Sequence, residues 1–362
     1  MRRIVIVAIF ALNSLAVGFV NAQTIKQVAP VPVDPHELAT TRATVADTPE
    51  KRASILNLFE RARQNNNLHM NGMNAFNLKV SFNSDGSAAY AGAGDLEESW
   101  LSNATWKWTA HLGSYSQVRV FHNGVAYDLN PHTYLPLRLQ MIRQSLFWPV
   151  SGNFANDVIR IADASWNGKP VTCALIAGPR AKASQETGRQ WNEEEFCVDP
   201  TSGLLQTYSV APGIYDVYDY SNALQFHGRT LARRITIFEN STIAAEIHIN
   251  DIEDLNPPDE ADFLPGADMK GPGIMIGQPM RFPQTVKNNL SSSTTRVVQP
   301  VIIHAALDSS GKVLEAEALQ TSDYATSEAA LKLVRSTNYG PTRGSQPLER
   351  DVFINVQFVS SN

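Results

Sequence analysis

The sequence predicts an α+β protein in which a large antiparallel sheet with packed helices is followed by a small β-β-α-β unit. Apolar and polar residues alternate over Phe76–Asn83, which is the period of a strand with one buried face. The pair Asn123-Gly124 between two further apolar runs is a strong signal for a tight hairpin. The same alternation returns after a stretch rich in Pro, Gly and Ser, which predicts a separate unit near the C-terminus.

The N-terminus has the layout of a secretory signal. Met1-Arg2-Arg3 precedes an apolar run that ends near Val20, and small residues follow before Gln23. We predict a signal peptide over residues 1–22 and, after cleavage, a periplasmic or secreted protein; an uncleaved single-span anchor is the alternative. Residues 23–47 are rich in Pro, Thr and Val and aperiodic, which predicts a flexible lead-in.

Composition limits the class of partner. The 362 residues are 43% hydrophobic and 18% charged, enough core material for two or three globular domains. The net charge is −5 and no basic cluster is present, which argues against nucleic acid as a partner. The two cysteines, Cys173 and Cys197, are predicted to form a disulfide because the exported protein would fold in an oxidising compartment.

The larger unit is predicted to span residues 48–267. Thr48-Pro49-Glu50 is typical of a helix start, with Thr as the cap and Pro in the first turn. One apolar stripe at helical spacing then follows, formed by Ile55, Leu56, Phe59 and Ala62. Further strands are predicted at Trp106–Leu112, Gln117–Phe121, Val125–Leu129, Val171–Ile176, Leu204–Val210, Leu231–Phe238 and Ile243–Ile252.

One segment interrupts the strands. Leu135, Leu139, Ile142 and Leu146 recur at three and four residues, which predicts a helix over 133–147 that stops before Pro149. Two interpretations stay open: the helix packs in the core, or it plugs or covers a concave sheet.

A change of composition marks the next boundary. Residues 268–295 are predicted to be a linker, and residues 296–362 a unit of two hairpin strands, a helix opening at Ser327-Glu328 and a final strand. The hairpin turns at Asp308-Ser309-Ser310-Gly311.

This terminal unit resembles the C-terminal domain of TonB, the energy transducer of the Gram-negative envelope. The resemblance rests on Leu307, Asp308, Gly311, Val313, Ser322, Ala329-Ala330-Leu331, Pro341, Gly344 and the Val-x-Ile-x-Val-x-Phe ending. It implies that the last strand offers its edge to a peptide of an outer-membrane receptor by strand addition. The residues of that predicted edge are Val352, Ile354, Val356 and Phe358. The alternative is that the strand simply completes a small sheet.

The region from about residue 70 to 268 resembles the half-barrel of periplasmic lipoprotein carriers of the LolA kind. The resemblance rests on "FNLKVSF", "GAGDLEESWLSNATWKWTAHLGSYSQVRVFHNG", "FCVDPTSGLL" and "LARRITIFENSTIAAEIHINDI". It implies a concave face that binds a lipid-like or lipoprotein ligand. The predicted cavity residues are Phe76, Phe82, Trp106, Trp108 and Tyr127. The alternative is that these aromatics form a filled core under the two helices.

No catalytic, metal or cofactor motif is evident in the sequence, and the eight histidines are scattered without ligand spacing. The sequence therefore predicts a non-enzymatic exported envelope protein with no cofactor, bound to membranes only through partners. One alternative is an accessory of TonB-dependent transport in which the large domain is only a scaffold. The other is a secreted hydrolase, which a Ser or Cys beside a His in a pocket would support.

Overall fold

The structure is a computed structural model. It describes residues 26–28, 34–38, 43–85, 90–132, 134–181, 188–273, 275–276, 284–289, 296–320, 324–341 and 348–361. The predicted signal peptide lies outside these residues.

The described chain forms helices α1 (Pro49–Asn66), α2 (Leu137–Phe147) and α3 (Tyr324–Ser336), with a short 3-10 helix at Glu260–Phe263. None of the helices found there has the length and apolar character that crossing a membrane requires. The strands are β1 (Lys26–Val28), β2 (Thr44–Val45), β3 (Phe76–Ser84), β4 (Gly92–Ser102), β5 (Thr105–Leu112), β6 (Tyr115–His122), β7 (Val125–Asp128), β8 (Val158–Trp166), β9 (Lys169–Ala177), β10 (Glu194–Val198), β11 (Leu205–Ser209), β12 (Ile214–Asp219), β13 (Leu224–Phe226), β14 (Arg229–Leu231), β15 (Arg234–Glu239), β16 (Thr242–Asp254), β17 (Met275–Ile276), β18 (Gln284–Asn289), β19 (Arg296–Leu307), β20 (Val313–Gln320) and β21 (Leu348–Ser361).

The large sheet has 13 strands in the order β2-β8-β9-β10-β11-β12-β15-β16-β3-β4-β5-β6-β7. Every pairing in it is antiparallel, as the hairpin signals predicted. Inward residues of strands near both ends share one apolar core with α1 and α2. The sheet therefore curves around the two helices, and in the part of the chain that the structure describes no pairing joins its end strands β2 and β7.

Helix α1 begins as predicted. The Thr48 hydroxyl accepts a hydrogen bond from the backbone N–H of Lys51 at 3.3 Å, and Pro49 occupies the first turn. The buried face carries Ile55, Leu58, Phe59, Ala62 and Asn66. Leu58 thus replaces the predicted Leu56, which is only partly buried.

Helix α2 is buried on every side, because all eleven of its residues are buried. Its sequence is nevertheless mixed: Arg138, Gln140, Arg143, Gln144 and Ser145 alternate with apolar residues. One side packs into the core of the curved sheet, and the other meets the terminal unit. Both interpretations of the segment therefore hold, since the helix is core and also fills the concave face.

The terminal unit contains the predicted β-β-α-β elements. Strand β19 pairs antiparallel with β20 on one edge and with β21 on the other. Helix α3 covers one face of this sheet, and it starts at Tyr324, three residues before the predicted start. The apolar residues that share this core include Val301, Ile303, Ala305, Leu307, Ala330, Val334, Val352, Ile354, Val356 and Phe358.

The opposite face of the terminal sheet holds the N-terminus of α2. Glu349 accepts hydrogen bonds from the backbone N–H of Leu135 at 3.1 Å and from the Gln140 amide at 2.6 Å. Glu315 accepts one from the backbone N–H of Leu137 at 3.1 Å. The first N–H groups of a helix lack partners inside the helix and favour negative charge. We call Glu315, Glu317 and Glu349 the helix clamp; Glu317 contributes an ion pair of 3.1 Å to Arg138.

The edge of the last strand, which was predicted to be free, is paired in the structure. Strand β18 pairs parallel with Ile354–Val359 of β21, and β17 pairs with Leu348-Glu349 on the same side. The side chains of Val352, Ile354, Val356 and Phe358 are all buried. The prediction of a free docking edge is wrong because the chain's own backbone already occupies it, so the alternative of a completed sheet holds.

The predicted lead-in and linker also need correction, since parts of both are built into the fold. Lys26–Val28 pairs with β19, and Thr44–Val45 pairs with β8. Asp34 and Glu37 are buried. Lys270 pairs with Asp128, the last residue of β7, and β17 and β18 lie within the predicted linker. Backbone pairing, which does not require an apolar pattern, explains why composition alone missed these contacts.

The predicted disulfide is confirmed. Cys173 on β9 and Cys197 on β10 stand directly opposite each other, with Cα atoms 4.0 Å apart. Both are fully buried among Ala162, Val171 and Leu175.

Candidate functional site

An open cleft of about 460 Å³ lies where the C-terminal end of α1 meets the turn after β4 and the loop after α2. Its size falls in the range of small-molecule sites. We call it the Trp cleft, and it is lined by Arg63, Asn67, His69, Met70, Asn103, Trp106, Trp148, Val150, Ser151 and Gly152.

Hydrogen bonds hold the two sides of the Trp cleft together. The Asn67 side chain donates to the backbone carbonyl of Val150 at 3.1 Å and accepts from its N–H at 3.0 Å. Arg63 donates to the carbonyl of Gly152 at 2.7 Å. The end of α1 is thereby tied to the loop after α2, which makes the cleft a preformed feature.

Behind the tryptophans lies a buried guanidinium. The Arg143 Cζ atom is 4.0 Å from the ring centroid of Trp108 and between 5.4 and 5.5 Å from those of Trp106, Phe147 and Trp148. Such positions over aromatic faces favour a cation. Burial still lowers the pKa of Arg143 to about 10, so the group is charged at neutral pH.

Arg143 belongs to a buried polar cluster that reaches the cleft. Its Nη2 atom is 3.9 Å from Glu98 Oε2, and the other Glu98 oxygen is hydrogen-bonded to His69 Nε2. The His69 ring stacks on Phe147 with centroids 4.1 Å apart. Burial lowers the pKa of His69, which favours the neutral ring.

A hydrolase would need a nucleophile beside this histidine. Ser151 is the hydroxyl in the Trp cleft, but it contacts the Gln144 amide at 3.4 Å. Neither Ser151 nor His69 has a hydrogen bond to the other in the described residues. The His69–Glu98 pair therefore lacks the hydroxyl contact that nucleophilic catalysis requires.

The predicted cavity residues are dispersed. Phe76, Phe82 and Trp108 are buried in the core that α2 fills. Tyr127 lies against Gly271, where an added Cβ would stand 2.5 Å from the ring. Trp106 alone among the five lines the Trp cleft. Of the two alternatives that the sequence left open, the filled core therefore holds for Phe76, Phe82 and Trp108, because α2 occupies the concave face.

Sequence reasoning missed His69, Glu98, Arg143 and Trp148. One signal was available: Glu98 lies between the inward residues Leu96 and Trp100 of β4, so its carboxylate stands at a core-facing position. A charge at such a position needs a buried partner. Its partners come from a loop and from α2, and neither could be inferred from spacing.

Among the described residues, one group of side chains is close enough to share a metal ion: Cys173, Glu195 and Cys197. Both sulfurs in it are joined in the disulfide. A disulfide sulfur is not a thiolate ligand, so this group does not form a metal site.

No family model and no curated protein matches the chain. Among solved structures it is similar to a LolA superfamily protein from Nitrosomonas europaea, with 12% identity, 58% of this chain and 97% of that chain covered, and a TM-score of 0.38. A putative outer membrane lipoprotein-sorting protein domain from Vibrio parahaemolyticus has 10% identity, 59% and 95% coverage and a TM-score of 0.34. A DUF1329 family protein from Desulfovibrio piger has 9% identity, 59% and 96% coverage and a TM-score of 0.36. These similarities are too distant to support a function, and the resemblance of the terminal unit to TonB stays a prediction.

Proposed function

We propose that this protein is a non-enzymatic, exported envelope protein that binds a small lipid-like molecule in the Trp cleft. The proposed ligand site is therefore the Trp cleft and not the concave face of the sheet, which α2 fills. Export and a periplasmic location rest on the sequence of residues 1–22.

One observation carries the proposal: two tryptophans, Trp106 and Trp148, together with Met70 and Val150, line an open and preformed cleft. An apolar surface in contact with water is costly, and an apolar ligand that covers it gains free energy in proportion to the buried area. The hydrogen bonds from Asn67 and Arg63 hold this shape without a ligand, which lowers the entropic cost of binding.

The proposal is tested with N-phenyl-1-naphthylamine, a neutral probe that becomes fluorescent in apolar surroundings. The purified full chain is expected to take up the probe with saturation at one site. Trp106→Ala and Trp148→Ala should each weaken uptake at least tenfold, because each removes a wall of the cleft.

Trp166→Ala is the matched control, since Trp166 is a partly buried tryptophan on β8, outside the cleft. Uptake by this variant should equal that of the wild type. Two results would exclude the cleft as the binding site. One is that the wild type shows no saturable uptake of the probe. The other is that Trp106→Ala, Trp148→Ala and Trp166→Ala all reduce uptake equally.

A further inference from the structure

The ionisable residues that line the Trp cleft are both basic. Arg63 and His69 are the ionisable side chains in its lining, and no carboxylate contributes to the described lining. The chain as a whole carries a net charge of −5, so this bias is local.

The charges just behind the lining add to the bias. Arg63 is paired with Glu60 at 2.6 Å, and Arg143 lies 3.9 Å from Glu98. Arg229 donates to the Asn67 carbonyl at 2.9 Å and to the Met70 sulfur at 3.3 Å.

Arg229 has no carboxylate partner among the described residues. The three guanidinium groups around the cleft thus face two carboxylates, which leaves one positive charge in excess. A cleft with low-dielectric walls concentrates such a field at its opening.

The hydrogen-bonding groups favour an anion as well. The indole N–H groups of Trp106 and Trp148 are not bonded to other described residues, and the Ser151 hydroxyl accepts from Gln144, which leaves its own proton free to donate. These donors, together with the Arg63 guanidinium, suit the oxygens of a carboxylate or phosphate.

We infer that the ligand of the Trp cleft is a single-chain amphiphile with an anionic head, a carboxylate or a phosphate monoester. The head lies at the Arg63 side, and the alkyl chain lies against Trp106 and Trp148. This inference rests on the proposed function and adds the charge of the ligand to it.

The test compares four ligands that share a ten-carbon chain: decanoate, decyl phosphate, decan-1-ol and decyltrimethylammonium. Each displaces N-phenyl-1-naphthylamine from the full chain at low salt. Decanoate or decyl phosphate is expected to displace the probe at least tenfold more effectively than decan-1-ol, and the cation least effectively. The better of the two anions identifies the head group.

Two variants assign the effect to Arg63. Arg63→Gln should abolish the advantage of the anions over decan-1-ol, and both are compared within this one variant because Arg63 also bonds the carbonyl of Gly152. Glu60→Gln keeps Arg63 in place and removes its partner, whose side chain is 53% exposed, so it should strengthen the anions alone. Arg61→Gln is the control, because Arg61 lies on the same helix and bonds the carbonyls of Pro200 and Thr201, away from the cleft.

The outcomes separate the two claims. Equal displacement by decanoate, decyl phosphate and decan-1-ol, or preference for the cation, overturns the anionic head and leaves the lipid-binding function standing. Failure of all four ligands to displace bound probe, or of the probe to bind, overturns the function and this inference with it.

Discussion

Asp216 offers a quantitative test of the interior described above. It lies on β12 and lines a small cavity with Met141, Ser145 and Phe353. Burial raises the pKa of its carboxyl from 3.8 to about 7, and a hydrogen bond of 2.6 Å from the Ser145 hydroxyl offsets only part of this. The folded state thus holds a proton that the unfolded state releases at lower pH.

Because the pKa of Asp216 is higher in the folded than in the unfolded protein, its contribution to stability falls as the pH rises. Stability from the neutral carboxyl is fully present below pH 3.8 and is lost as the pH rises through about 7. The gap corresponds to about 4 kcal/mol at 1.36 kcal/mol per tenfold change in proton affinity, of which about 2.5 kcal/mol is lost between pH 5 and pH 8. Asp216→Asn keeps the shape and an acceptor for Ser145 but cannot ionise.

The free energy of unfolding is measured in urea by tryptophan fluorescence at pH 5, 6, 7 and 8. The free energy of unfolding of Asp216→Asn, relative to that of the wild type, should rise by about 2.5 kcal/mol between pH 5 and pH 8. Asp219→Asn on the same strand is the control. The backbone N–H of Ser221 lowers the pKa of Asp219, so its carboxyl is ionised in both the folded and the unfolded protein throughout this pH range. The free energy of unfolding of Asp219→Asn should therefore differ from that of the wild type by a constant amount. A constant difference for Asp216→Asn as well would show that the folded protein does not hold the Asp216 proton in this pH range.

Three further predictions concern other buried groups. Replacing Cys173 and Cys197 together with Ala should cost about 3.5 kcal/mol of unfolding free energy, because the disulfide closes a loop with a sequence separation of 24; chemical denaturation measures it, and a change below 1 kcal/mol would contradict it. Glu349→Leu should cost about 3 kcal/mol and split the calorimetric transition in two, because Leu135, just before α2, and the Gln140 amide lose their acceptor in the terminal unit. One unchanged transition would show that the helix clamp does not join the units. Arg143→Met should cost about 3 kcal/mol by leaving Glu98 without a cation, and Glu98→Gln in the same chain should restore most of it; equal stability of single and double variants would show that the pair is not coupled.

The features that could be predicted from the sequence are those written in local patterns. Phe76, Leu78, Val80 and Phe82 all point inward from β3, as their alternation indicated. The Thr48 cap and the β-β-α-β order of the terminal unit were likewise local.

The features that could not be predicted depend on partners far away in the chain. Arg138, Gln140 and Arg143 make α2 look half exposed, yet each is buried beside a residue that no spacing connects to it. The six residues of β18 are mostly polar, so nothing in Gln284–Asn289 indicated that they cover the edge of β21. Asn and Lys are depleted in strands, so the composition of this segment argued against the pairing that it makes.

The way α2 is held has a consequence for biosynthesis. The helix ends at Phe147, but the clamping strand β21 ends only at Ser361. At 5–20 residues per second, roughly 10–40 s pass between the emergence of the two. During that interval Glu98 is already made, but the helix lacks Glu349, the acceptor of Gln140, and the strand that completes its cover. The nascent chain should consequently need a holding chaperone until its last strand has been made.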